Sequence, residues 1–134
     1  MGEPMDLSQC LLFRGIPDKE LKRAVADMSE VNQPAGRQVA VRGEGGVGFM
    51  VILEGEVEVT TADGRKHRLV AGDHFGEMAL LDKQGRSADV VALTPLKLAA
   101  VPEWSFKTFL TAHPEVSYRM LQVMSQRLRE AESH

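Results

Sequence analysis

Cysteine is nearly absent from this chain, with Cys10 alone among 134 residues. That excludes an intramolecular disulfide framework, a four-cysteine zinc site and an iron–sulfur cluster held by the chain's own thiolates, and it suits a reducing, cytoplasmic compartment. Basic charge is not in excess either: 16 Lys and Arg stand against 19 Asp and Glu, for a net charge of −3. No general field attracts a nucleic-acid backbone or an anionic membrane, so any anion must be held locally. Long apolar runs are missing too. No stretch approaches the ~20 apolar residues that a bilayer crossing requires, and the acidic N-terminus MGEPMDLSQC has no signal-peptide core. A soluble protein without a membrane partner is expected. What is present is ordinary globular composition, 43% hydrophobic and 26% charged, with 12 Gly and 6 Pro. The length suits a single domain over residues 1–134.

Three zones follow one another, without a repeat or a dividing linker. N-terminal helices are expected over about residues 6–30. Asp18 is placed to cap a helix in which Leu21, Ala24, Val25 and Met28 recur at helical spacing up to about Ser29, before Pro34 and Gly36 close it. A shorter helix is expected from Leu7 to Phe13, ended by Gly15 and Pro17. From about residue 36 to 102 the period becomes two. Val39 and Val41, Phe49 to Leu53, Val57 and Val59, Ser87 to Leu93, and Leu96 to Val101 read as strands, with Asp63-Gly64 the strongest hairpin signal. Many short strands favour a sandwich, barrel or roll over a parallel sheet. C-terminal helices occupy about residues 103–131: Glu103 to Ala112, then Glu115 to about Glu130 beyond His113-Pro114. In the last, Val116, Met120, Met124 and Leu128 form a stripe that packs on its own domain, seams a homodimer, or does both along its length.

The segment from Phe75 to Leu93, FGEMALLDKQGRSADVVAL, carries the chemistry. Gly76 permits a tight backbone turn, and the helix-prone run from Glu77 to Leu81 leaves amide N–H groups free at its first turn, where phosphate binds. Nine residues after Glu77 comes Arg86, whose planar fork suits two oxygens of one phosphate, and Ser87 adds a hydroxyl donor. A carboxylate beside a phosphate repels it unless the carboxylate has another task, such as accepting from a sugar hydroxyl. A nucleotide cyclised through its phosphate satisfies Glu77 and Arg86 together. Taken alone, a Glu and an Arg at this separation are an ordinary surface ion pair; the surrounding motif is what favours the ligand.

The segment resembles the phosphate-binding cassette of cyclic nucleotide-binding domains, the family of catabolite activator proteins, kinase regulatory subunits and nucleotide-gated channels. That cassette runs F-G-E-[LM]-A-L-L and then R-[SAT]-A-[TS]-V, and here the residues are FGEMALL and RSADV. Gly36, Gly43-Glu44, Phe49 to Leu53, Glu54-Gly55-Glu56-Val57 and Ala71-Gly72-Asp73 also follow the family's order. The resemblance implies a mainly β fold: an eight-stranded, jelly-roll-like β-roll with N-terminal helices and two C-terminal helices. It implies cAMP or cGMP as ligand, cAMP being favoured, with cyclic dinucleotides left open. Glu77 would accept from the ribose 2′-hydroxyl, Arg86 and Ser87 would hold the exocyclic phosphate oxygens, and Gly76, Ala79 and Ala88 would frame the cassette. Val59, Leu69 and Met78 would form an apolar wall, and Arg127 or Leu128 would serve in a lid made by the last helix.

Asp89 departs from the pattern, standing where a small hydroxyl residue is frequent. If 87–91 is extended, Ser87 and Asp89 share a face, and the carboxylate weakens binding unless Arg37, Arg42 or Lys66 neutralises it. His67, His74, His113 and His134 supply only a fragment of a cupin-type metal site, so no metal is expected. His74 is expected at an exposed turn, His113 at the break between the C-terminal helices, Cys10 in the core and Trp104 in packing. No nucleophile–base pair, Walker loop or paired carboxylates are found, which makes a sensor rather than an enzyme. With no residues after His134 for a helix-turn-helix, DNA contact by this chain is not expected. The alternative is a degenerate fold that has lost its ligand and acts as a dimerisation or protein-interaction module through the last helix.

Overall fold

The computed structural model describes Leu7 and residues 10–40, 48–76 and 88–132. Two antiparallel four-stranded sheets form its body, in the orders β1-β8-β3-β6 and β2-β7-β4-β5. The strands are β1 (Ser29–Gln33), β2 (Gln38–Ala40), β3 (Gly48–Glu54), β4 (Glu56–Thr61), β5 (Lys66–Val70), β6 (His74–Phe75), β7 (Ala88–Ala92) and β8 (Leu96–Pro102). Helix α1 (Asp18–Ala26) precedes them, and α2 (Phe106–Ala112) and α3 (Pro114–Glu132) follow. This is the expected eight-stranded roll with flanking helices.

The centre of the first sheet, β3 and β8, is covered on both faces, which explains its unbroken apolar runs. In β3, Phe49 and Val51 pack against the helices, where Leu12, Phe13, Phe106, Phe109, Val116 and Met120 meet them. The alternate residues Met50 and Ile52 face the second sheet instead, together with Leu96, Leu98 and Ala100 of β8. A strand with period-two geometry and a core on each side needs apolar residues at every position. The second sheet has one wet face, and β4 accordingly alternates: Val57 and Val59 are buried while Glu56, Glu58 and Thr60 are half-exposed.

Turns lock the two sheets together. Gly55 joins β3 to β4 at φ 101°, and a Cβ there would stand 2.5 Å from the Pro95 carbonyl oxygen. Beside it the Glu56 amide donates to Thr94 Oγ1 at 3.0 Å, and the Leu93 amide donates to the Glu56 carbonyl at 2.9 Å. Near the same end of β3, the Gly72 amide donates to the Ile52 carbonyl and the Ile52 amide to the Asp73 carbonyl, both at 2.8 Å.

Several local expectations need correction. The N-terminal helix stops at Ala26, and Ser29–Gln33 is a strand paired with β8, so the roll begins before residue 36. One apolar residue, Val31, among Ser29, Glu30, Asn32 and Gln33 is too weak a period to read, because an edge strand with a wet face needs little more. Pro17, not Asp18, is the N-cap, and Asp18 is the first helical residue. The early helix contracts to a 3-10 turn at Leu11–Phe13, and Glu103–Ser105 is likewise a 3-10 turn before α2. His74 is buried, not at an exposed turn: it pairs with Val51 in the doubly covered sheet and its ring centroid lies 5.8 Å from that of Phe49. Trp104 does not pack but is 85% exposed, because Phe106 takes the core position below the turn. Cys10 is buried, as expected.

Candidate functional site

The inner face of the second sheet is set by strand register. Residues directly opposite across an antiparallel pair share a face. Val59 stands opposite Val90 of β7 on one side and His67 of β5 on the other, while Val57 stands between Ala92 and Leu69. These rows face the first sheet: Val57, Val59, Val90 and Ala92 are buried in the core between the sheets, with Leu69 and Ala88 packed against it. Val59, Leu69 and Ala88 therefore lie on the same inner face. Gly76 directly follows β6 and has φ 100°, a left-handed conformation that glycine adopts at little cost. Residues 77–87 connect β6 of one sheet to β7 of the other. Glu77, Met78, Ala79, Arg86 and Ser87 all lie outside the described residues, as do Arg42 and Val41.

The outer face of the same sheet is a charge ladder. Lys66 Nζ lies 3.7 Å from Glu58 Oε1, and Arg68 Nη1 lies 3.4 Å from Glu56 Oε2. Asp89 belongs to this side. It stands opposite Thr60, out of step with the inward Ala88 and Val90, and Lys66 flanks Thr60 from β5. The Asp89 carboxylate is thus on the outer side of the sheet, while Arg86 and Ser87, expected at the phosphate, lie outside the described residues.

At the tip of the β4–β5 hairpin, Asp63 organises the turn. Its carboxylate accepts from Thr61 Oγ1, from the Arg65 amide at 3.2 Å and from Arg65 Nε at 2.7 Å. The Thr61 hydroxyl first, then the Arg65 amide and guanidinium, hold the Asp63 carboxyl down to about 2.

The helices meet at a second polar point. His113 ends α2, is 3% exposed, and its Nε2 donates to Asp27 Oδ2 at 2.6 Å. Asp27 caps the C-terminus of α1, so one hydrogen bond ties the first helix to the α2–α3 junction. The break expected at His113 is thus also a clasp. Along α3, Val116, Met120 and Val123 are buried, whereas Leu121 and Leu128 are 65% and 60% exposed. Arg127 is exposed on the distal half of this helix. The apolar stripe thus divides: Val116, Met120 and Met124 pack on the domain, and Leu128 faces outward. Among the described residues no group of three His, Cys, Asp or Glu is arranged to hold a metal ion, and no helix is long and apolar enough to cross a membrane.

Comparison with known proteins agrees with this architecture. Residues 30–113 match the family model for the cyclic nucleotide-binding domain. A CRP-like cAMP-activated global transcriptional regulator of Mycobacterium tuberculosis is 24% identical over 133 residues, covering 96% of this chain and 59% of the relative. The crystal structure of the Thermus thermophilus catabolite activator protein superposes with a TM-score of 0.80 at 28% identity, over 90% of this chain and 59% of that one. The N-terminal domain of a transcriptional regulator from Streptomyces coelicolor A3(2) superposes with a TM-score of 0.72 at 30% identity, over 96% of both chains. The chain spans about three fifths of the length of the first two.

Proposed function

Because this chain belongs to the cyclic nucleotide-binding domain family, we propose that it is a non-catalytic cytoplasmic sensor domain for a cyclic nucleotide, with cAMP the ligand. One observation carries this reading: residues 30–113 match the cyclic nucleotide-binding domain, and within that span the cassette motif stands between β6 and β7. In this reading Arg86 and Ser87 bind the phosphate, Gly76 and Ala79 present backbone, Glu77 accepts from the ribose 2′-hydroxyl, and Met78 joins the apolar wall. The M. tuberculosis relative, described as cAMP-activated, supports cAMP as the ligand. The exposed half of α3, which carries Arg127 and Leu128, moves over the ligand as a lid. It can do so only to the extent that the ligand binds the closed form more tightly than the open one.

The exposed Leu121 and Leu128, on one face of α3, favour a second reading, in which that face seams a homodimer or docks a partner without any ligand. Calorimetric titration with cAMP and cGMP, on protein stripped of co-purified nucleotide, separates the two. The sensor reading expects saturable binding that weakens roughly ten- to a hundredfold in Arg86→Ala, the loss of one charge-assisted contact. Absence of heat and of thermal stabilisation at millimolar nucleotide would leave the interaction module.

A further inference from the structure

β5 is the end strand of the second sheet, paired with β4 along one edge only. The hydrogen-bond phase fixes which backbone groups lie on its other edge. The Leu93 amide donates to the Glu56 carbonyl, so Glu56 turns its backbone toward β7; the Thr61 amide donates to the Arg65 carbonyl at 2.9 Å, so Thr61 turns its own toward β5. Backbone direction alternates along a strand. Val57 and Val59 therefore bond to Leu69 and His67 across the register, and Lys66, Arg68 and Val70 direct N–H and C=O away from the sheet. At Val70 these groups are used: its amide donates to Asp73 Oδ2 at 2.9 Å, and its carbonyl accepts from the Asp73 amide at 3.0 Å. The outward backbone groups of Lys66 and Arg68 have no partner among the described residues, and both residues are exposed.

The same edge is cationic. Arg65, Lys66, His67 and Arg68 are consecutive and exposed, while the carboxylates beside Lys66 and Arg68, Glu58 at 3.7 Å and Glu56 at 3.4 Å, stand inboard on β4. These pairs are open to solvent and hold their cations weakly. A chain arriving from the open side meets the cations first. A second copy of β5 would set like charges directly opposite one another, which is unfavourable and is how exposed edges avoid self-pairing. An extended segment with Glu or Asp at alternate positions instead continues the order of the sheet, in which a carboxylate row on β4 borders a cation row on β5.

We propose that the outer edge of β5 binds an acidic, extended peptide segment by strand addition. Residues of that segment opposite Lys66 and Arg68 exchange backbone hydrogen bonds with both, and their carboxylates lie beside the two cations on the outer face of the sheet. The Asp73 bonds to Val70 end the open ladder, so the contact is short and draws its selectivity from charge. None of these groups lies on the inner face assigned above to the nucleotide, and the proposal stands whether or not a nucleotide binds.

The test is an amide NMR titration of the whole chain with a blocked synthetic peptide of the β4 sequence, EVEVTT, whose glutamates already stand beside Lys66 and Arg68 within the sheet. The same peptide with lysine in place of both glutamates is the control. The acidic peptide should give saturable shifts centred on Lys66 to Arg68, and the control should bind roughly tenfold more weakly. Lys66→Gln combined with Arg68→Gln, which changes only exposed side chains, should remove most of that difference. Arg68→Pro takes away an outward N–H and no bond to β4, and should weaken the acidic peptide roughly two- to tenfold beyond Arg68→Gln, the worth of one hydrogen bond. Equal binding of the two peptides, shifts centred on another edge such as β1 or β2, or no shift at millimolar acidic peptide would overturn the proposal.

Discussion

The two sheets of the roll are made of the same number of strands and obey different rules. β3 and β8, at the centre of the first sheet, bury residues on both faces. β4 and β7, at the centre of the second, bury one face and present Glu56, Glu58, Thr60 and Asp89 on the other. The first sheet is a structural wall, filled from both sides. The second is filled only in part, because its inner row runs from buried Val59 to exposed His67. In the proposed function the difference between the sheets is also a division between scaffold and site.

The largest expected effect breaks the scaffold. Ile52→Ala removes a fully buried side chain from β3 where it faces the second sheet, and should cost about 2–5 kcal/mol in denaturant unfolding. Arg68→Ala, on the wet face of β5, should cost less than about 1 kcal/mol. Comparable losses in the two would contradict the division. An intermediate effect lies in the helices. Asp27→Ala strands the buried Nε2 of His113 and should cost about 1–3 kcal/mol, while Asp27→Asn, whose amide oxygen accepts the same bond, should recover much of it.

The smallest effect sharpens the account of the hairpin. With its carboxyl held at about 2 against 3.8 unfolded, Asp63 contributes stability that is fully present above about pH 4 and lost as pH falls through about 2. Wild type should then exceed Asp63→Asn in Tm at neutral pH by a small margin that closes between those two values. A margin that widens on acidification would contradict this assignment.

The strands with the strongest patterns were legible because their burial is simple. Phe49 to Leu53 and Leu96 to Val101 are apolar throughout, since each side of their sheet is covered, and Val57 and Val59 alternate, since one side of theirs is wet. β1 was hidden because it is an edge strand with one inward apolar residue, Val31, and Met28 at the end of the helical spacing already belongs to the link before it. His74 and Trp104 exchanged places, in effect, because composition assigns a ring to the core and an imidazole to the surface. Burial is decided by neither type alone but by which residue the sheet pairs inward. The cassette was legible as a motif, whereas the side of the sheet on which Asp89 falls depends on pairing with Thr60, a contact between strands nearly thirty residues apart that periodicity alone does not supply.

The central claim is that a cyclic nucleotide occupies the inner face of the second sheet. The most direct measurement is a titration with cAMP followed by backbone amide NMR shifts. The largest perturbations are expected at Gly76, in β4 and β5 from Val57 to Leu69, and at Ala88 to Val90, with β1 and the helix-covered Ala99 and Val101 almost unmoved. Saturating shifts centred on β1 or confined to the outward half of α3, with Val59 and His67 unchanged, would contradict it.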